Sequence, residues 1–560
     1  VIWPMPTVRQ AACVVHFVTP VFIPIGLNET VILGGNLNFF CGKLTLSQLG
    51  TFDLVAIALY AVFVLYIGWR HSNRQISSEE YFVAGRGMGS FVVGLSIAAT
   101  LLSTISYLTT PGEMIKNGPG LMWSMLHFPI SFLIIGYFMI PKIMEHKVTS
   151  GYELLHERFG MTIRQTAAVL FILTRCFWMG FVIFTCGGAV AAISGIPLPI
   201  VLLLVGLVGT IYTVMGGVRA VMITDVVQFV ILFGGAILAI GFITYRCGGL
   251  SWWPDWDSQQ LAALQWPAVD GYSLNPFAAR LTRASAILGG VMFWVTAATS
   301  DQVIIQRYLC TRDAREARRS LGNSMIGDFT ITVVLFILGF ALLGYFIQFP
   351  GDLADPEQTI AQQADQLFPH LIGEILPQPI TGLLLAALFA AAMSSLDSGI
   401  SAIGSVLMTD FKDRFSRGLA TDDVRFMVRA RWISFCIGIL SIALSYSNFL
   451  VQRIHPEANL LGITLRITPF FVVPLFSLFV LAFFVKFSTP RGAWAAILVG
   501  VWAGLFFAHW KTIVGYFIET PEFSPFMIMP ATAVCSLLAG ILVSWSQRPA
   551  ITGQDNRTAG

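Results

Sequence analysis

The chain has 560 residues, of which 56% are hydrophobic and only 11% charged, with mean hydropathy +0.76 and a formal net charge of +3. A soluble domain carries about 25% charged residues, so the composition excludes a soluble globular protein and indicates an all-α polytopic membrane protein whose partner is the lipid bilayer. The near-balanced charge offers nothing to nucleic acid, and the eight cysteines are scattered with no CxxC pair, which removes a disulfide framework or a zinc site from consideration.

In chain order, residues 1–47 read as a poorly ordered N-terminal extension. The apolar run from Ala11 to Leu27 is interrupted by Pro20 and Pro24 and lacks a small-residue cleavage site. The first residue, Val1, marks an alternative initiation or a cut. Thirteen spanning helices are then expected, over 50–69, 91–113, 121–141, 166–195, 198–216, 221–245, 281–305, 327–348, 380–409, 433–450, 466–486, 493–510 and 526–546. The intervening loops alternate in character. Arg70, Arg74 and Arg86 share one loop, and Lys142, Lys147, Arg158 and Arg164 the next on that side. Arg307 to Arg319, Lys412 to Arg431, and Lys486 with Arg491 follow. The opposite loops are acidic or Trp-rich. The Lys/Arg side is cytoplasmic by the positive-inside rule, so the N-terminus lies outside and the C-terminus inside a multi-pass protein of the cell's inner (plasma) membrane.

Polar residues within the apolar segments are few. The span at 91–113 reads LSIAATLLSTISYLTTPG from Leu95 to Gly112 and is expected to break near its middle. A broken helix frees backbone carbonyls for a cation; ordinary Ser/Thr back-bonding is the alternative. His127 lies in the third span. Arg175 lies about 16 Å of helix beyond Arg164, so its guanidinium needs either a carboxylate (Asp225, Asp328 or Asp397) or an anionic ligand. Gly216-Gly217 predicts a tight cytoplasmic turn, with Asp225 about two turns into the following helix. Asp301 and Asp328 flank a basic loop, and a helix-end charge is the better reading for Asp301. The span at 380–409 carries AAMSSLDSGIS from Ala391 to Ser401, in which Ala391, Ser394, Ser395, Ser398 and Ser401 fall on one stripe with Asp397 at its edge. Hydroxyl, carbonyl and carboxylate oxygens at that depth suit a hard cation such as Na⁺. A small-residue helix contact would produce a similar stripe.

EEYFVAGRGMG (Glu79 to Gly89), YTVMGGVRAV followed by Thr224, Asp225 and Gln228, SDQVIIQRYL (Ser300 to Leu309) and AAMSSLDS, in this order, resemble the sodium/solute symporter family, which includes the sodium–glucose, sialic acid, proline and monocarboxylate cotransporters. The resemblance spans about residues 48 to 546 and implies a five-plus-five inverted-repeat fold of the LeuT type. It sets a leading helix at 48–70, a first repeat at 91–245, a second at 281–486 and two final helices at 493–546. The family's main sodium site maps onto backbone carbonyls of Ala98, Leu101 and Ala391 and the hydroxyls of Ser394 and Ser395. A second site known from the sialic acid type maps onto Asp225, Ser394, Asp397 and Ser398, with Asp397 where that type has a serine; the change strengthens cation binding or replaces the ion by a proton.

The sugar-binding set of the family does not carry over. Its helix-2 glutamate aligns with His127, its helix-1 glutamine with Ile105, its helix-6 asparagine and tyrosine with Trp294 and Ala297, and its helix-7 lysine with Asp328. A hexose is therefore disfavoured, and His127, Arg175, Thr104, Trp294 and Phe470 suggest a smaller or anionic organic solute. The resemblance implies a sodium-coupled symporter working by alternating access, with Na⁺ as coupling ion. The alternatives are a proton-coupled symporter and a membrane solute sensor; a sensor would carry a signalling domain, and none is expected after the last span. No nucleophile–base pair or metal signature suggests an enzyme.

Overall fold

The computed structural model describes residues 49–547 apart from 73–77, 257–258, 263, 268, 270, 412–422 and 455–459. The expected extension over 1–47 lies outside the described residues. All regular structure among the described residues is helical. Among the described residues, nine helices are long and apolar enough to cross a membrane, ten if one bent pair is counted as a single span.

The long helices are labelled as follows: α1 Thr51–Ser72, α2 Ser90–Leu101, α3 Thr104–Asn117, α4 His127–Ile134, α5 Met161–Ser194, α6 Leu198–Arg246, α7 Arg283–Ser300, α8 Gln302–Leu309, α9 Ala314–Gln348, α10 Ile380–Asp410, α11 Asp423–Ile454, α12 Leu460–Phe484, α13 Pro490–Ala508 and α14 Pro525–Ser546. The 49-residue α6 holds two expected spans. Its break is at Gly217, whose φ of 59° and ψ of −176° belong to a region that essentially only glycine enters, so the turn expected from the Gly-Gly pair is present.

Burial ranks the helices. The most apolar window of α10 is 83% buried, against 28% for that of α1, so α10 is the axis and α1 faces lipid. Small residues let helices close on that axis. Gly382 leaves no room for a Cβ beside Asp53 of α1, and its N–H donates to Asp53 Oδ1 at 2.8 Å. Gly399 sits against the Met179 side chain of α5.

Two spans are broken. Leu102 N–H closes α2 on Ala98 O at 3.0 Å, and Leu102 and Ser103 are extended before Tyr107 N–H opens α3 on Ser103 O at 3.1 Å. The expected continuous helix at 281–305 is instead α7 and α8, bent by 60° at Asp301. Asp301 N–H closes α7 on Ala297 O at 3.1 Å, and its carboxylate caps α8 by accepting from Val303 N–H at 2.9 Å. The break follows from that cap: an aspartate is far more stable at a helix start than in a helix interior.

The basic loops meet at one end of the bundle. Arg86 donates to Val148 O, Arg164 pairs with Asp410 at 2.6 Å and Arg219 with Glu80 at 2.7 Å. A cavity of about 740 Å³ lies there, between Glu79, Arg86, Arg164, Asp410 and Phe426.

Candidate functional site

The residues at the α2/α3 break and on α10 converge. Ser394 and Ser395 are fully buried and project from α10 onto the last turn of α2. Ser394 Oγ donates to Ala99 O at 2.9 Å and to Ala391 O at 3.2 Å, and Ser395 Oγ donates to Thr100 O at 3.2 Å. The last four carbonyls of a helix lack intrahelical partners and carry the negative end of its dipole. The break therefore presents backbone oxygens to the two serines, with Ala98 fully buried and Leu101 partly so. This donor set, neutral oxygens beside a helix C-terminus, fits a monovalent hard cation.

One turn deeper is a second cluster. Arg307 is fully buried and uses its guanidinium fork in four directions: Nε donates to Ser96 Oγ at 2.8 Å, Nη1 to Val303 O at 2.8 Å, and Nη2 to Asp225 Oδ2 at 3.1 Å and to Ser398 Oγ. Ser96 Oγ donates to Asp225 Oδ2 at 2.5 Å. Asp397, also fully buried, accepts from Tyr212 Oη, from Ser398 N–H at 2.6 Å and from Ser398 Oγ at 3.2 Å. Burial of ions on this scale requires that each be paired or hydrogen-bonded.

Three expectations meet different partners here. In the set Asp225, Ser394, Asp397 and Ser398 the side chains turn to protein partners. The cation at Asp225 and Ser398 is the Arg307 guanidinium, and Ser394 turns to Ala99 and Ala391. Arg307, grouped with the cytoplasmic loop charges, is instead inside the bundle; its isolation within the apolar run of α8, apart from Arg312 to Arg319, is the signal for this. Arg175 does not pair with Asp225, Asp328 or Asp397. It pairs with Asp301, Nε to Oδ1 at 3.3 Å and Nη2 to Oδ2. Its charge is thereby taken up by Asp301 and is not held ready for an anionic solute.

The remaining expected solute residues are buried. Trp294 stacks on His127 with ring centroids 6.0 Å apart and meets Phe128 edge-on at 5.9 Å. Thr104 Oγ1 donates to Leu388 O at 3.4 Å, linking α3 to α10. Ile105, Ala297 and Phe470 add apolar surface, with Phe470 against Phe471 at 4.3 Å. Tyr212, Ser96 and Thr100, whose Oγ1 lies 3.0 Å from Ser398 Oγ, were not singled out in the sequence. Nothing in their local pattern distinguishes them from packing residues.

Comparison with known proteins gives a consistent picture. The family model described as "Sodium:solute symporter family" matches residues 81–500. The sodium-dependent multivitamin transporter of Oryctolagus cuniculus is 28% identical, over 82% of this chain and 70% of its own length. The sodium/sialic acid symporter SiaT of Proteus mirabilis is 28% identical, over 82% and 90%. The human sodium-coupled monocarboxylate transporter 1 is 27% identical, over 85% and 72%. Among solved structures, a Na⁺-coupled sialic acid symporter in a substrate-bound outward-open state with a novel Na⁺ site superposes with a TM-score of 0.74 at 24% identity, covering 89% of this chain and 99% of that one. Mhp1, a nucleobase-cation-symport-1 transporter in a closed conformation, gives 0.52 at 14% identity, over 83% and 94%. The fold is the five-plus-five LeuT type.

Proposed function

Because the chain belongs to the sodium:solute symporter family, we propose that it is a sodium-coupled symporter that imports a small organic solute by alternating access. One observation carries the sodium site: two fully buried hydroxyls, on Ser394 and Ser395, meet the free carbonyl end of a broken helix. Na⁺ held by these hydroxyls and by carbonyls of Ala98, Leu101 and Ala391 bridges α10 to α2. Solute binding beside the same break, among Thr104, Ile105, His127, Trp294, Ala297 and Phe470, then favours the same conformation, which is what couples the two ligands. The membrane potential contributes about 2.3 kcal/mol per charge per 100 mV to uptake. The repeats are 91–245 and 281–486, flanked by 48–70 and 493–546. The Lys/Arg-rich end is cytoplasmic, with the N-terminus outside, in the cell's inner (plasma) membrane. No covalent step is assigned to any residue.

The test is thermal unfolding of the purified protein in Na⁺ and in K⁺ at equal ionic strength. A site that exists only in the folded state stabilises it by about 1.4 kcal/mol at ten times the dissociation constant. Na⁺ alone is expected to do this, and Ser395→Ala to raise the concentration required. Equal stabilisation by K⁺ counts against the site.

A second coupling cation, Na⁺ or H⁺, is favoured by the charge balance of the deeper cluster. The Arg307 guanidinium serves Asp225, and among the described residues the hydrogen bonds to Asp397 come from the neutral donors Tyr212 and Ser398. Equilibrium binding of radiolabelled Na⁺ separates the cases. Two ions per protein, reduced to one by Asp397→Ala, supports sodium. One ion with proton uptake that Asp397→Asn abolishes supports a proton. Neither result leaves Asp397 as the structural partner of Tyr212.

A further inference from the structure

Arg175 and Arg307 are paired with Asp301 and Asp225, and the sodium site needs no carboxylate. One charged side chain beside the broken helix has no assigned partner: Asp328 on α9. It is 7% exposed, and its Oδ2 has no hydrogen-bond partner. Ser324, one turn earlier, is a neutral donor beside it, yet Asp328 Oδ2 keeps no hydrogen-bond partner. No ion pair among the described residues reaches Asp328. A carboxylate in that position has lost its water and received nothing comparable in return.

Its neighbours give its direction. Gly327 faces α2: a Cβ there would lie 3.3 Å from Ala98 Cβ and 3.3 Å from Phe229. Phe329 faces α4, its ring 5.8 Å from that of Phe128. Each residue turns a helix by about 100°, so Asp328 points into the wedge between α2 and α4, while Ile326, 68% exposed, faces the lipid on the opposite side. Ala98 is in the last turn of α2, which sets Asp328 at the level of the α2/α3 break. Three more buried polar atoms without a partner belong to the two elements it points between: Ser103 Oγ in the break, and His127 Nδ1 and Ser131 Oγ on α4. Phe128 and Trp294 close the aromatic side.

We propose that the transported solute carries a protonated amine, which Asp328 binds as counter-ion. An ammonium group supplies both things the wedge lacks: a positive charge for the carboxylate, and N–H donors for acceptors otherwise unsatisfied. The faces of Phe128 and Trp294 favour a cation beside them. The inference rests on the symport reading, since the amine enters as cargo, and it reverses the charge expected of the solute while Arg175 was unpaired.

The test is thermal shift of the purified full-length protein in Na⁺ and in K⁺ with a panel of small alkylamines, amino alcohols and amino acids. Each amine is set beside the compound in which the amine is replaced by hydroxyl or carboxylate. At least one amine is expected to stabilise the protein in Na⁺ only, with its counterparts silent. In Asp328→Asn its half-saturating concentration should rise about 30-fold or more, the usual consequence of removing one member of a buried ion pair, with the Na⁺ effect retained. If Asp328→Asn does not fold, Asp328→Glu serves, keeping the charge one methylene further out; it should weaken the amine about tenfold, a 1.4 kcal/mol change, with Na⁺ stabilisation unaltered. The proposal is overturned if no amine stabilises the protein, if only neutral or anionic compounds do, or if an amine binds the variants as tightly as the unaltered protein. Loss of Na⁺ stabilisation in the unaltered protein would instead sink the symport reading; Na⁺ stabilisation without an amine effect sinks only this one.

Discussion

Each buried arginine of this site has found a carboxylate that local sequence does not indicate. Arg175 reaches Asp301 across 126 residues, and Arg307 reaches Asp225 across 82. The side chains of the first pair are 10% and 13% exposed. Removing one member of a pair this buried costs about 3–5 kcal/mol, because the other stays charged without a partner. Arg175→Gln should therefore lower the melting temperature sharply. The double variant Arg175→Gln/Asp301→Asn should recover part of that loss, since asparagine keeps the cap on Val303 N–H and removes the stranded charge. A double variant no more stable than Arg175→Gln would show that Asp301 is not the group the arginine neutralises.

At the scale of the element, helix ends explain most of the architecture. Gly217 divides α6 through a backbone conformation closed to other residues, and Asp301 divides α7 from α8 through a cap. The start of α9 uses the same device on the loop side: Asp313 Oδ1 accepts from Arg315 N–H and Glu316 N–H, both at 2.9 Å. Those bonds, first the one from Glu316, hold the Asp313 carboxyl below its usual pKa. A depressed pKa contributes stability that is present above the unfolded value, about 3.9, and is lost as pH falls through the folded one. Asp313→Ser keeps a capping oxygen that does not titrate. Its melting temperature should accordingly fall less steeply than that of the unaltered protein below about pH 4; identical slopes would remove the cap from the acid response.

Across the whole molecule, the most buried helix and the least continuous one meet. α10 forms the axis, and its serines hold the last carbonyls of α2 beside the break into α3. A cation bound at this junction, as proposed, would tie α10 to α2, so its binding should be read locally in the backbone. Amide exchange over residues 98–104 and 391–398 is expected to slow in Na⁺ relative to K⁺. The outer helices α13 and α14 should not respond. Uniform slowing, or none, would detach the ion from this junction.

Hydropathy, loop charge and four short motifs made the membrane class, the family and the serine stripe legible in the sequence, because each depends on residues near one another along a helix or loop. The break in the 91–113 span was legible for the same reason, since the Ser/Thr run competes locally for backbone hydrogen bonds. The partners of Arg175, Arg307 and Asp397 were not, nor was the unpaired state of Asp328. A buried charge chooses its partner by distance in three dimensions, and Asp225, Asp301 and Asp328 are equivalent aspartates until packing decides which one an arginine reaches. Local pattern determined which residues lie in the membrane; only the tertiary structure decided which of their charges are neutralised.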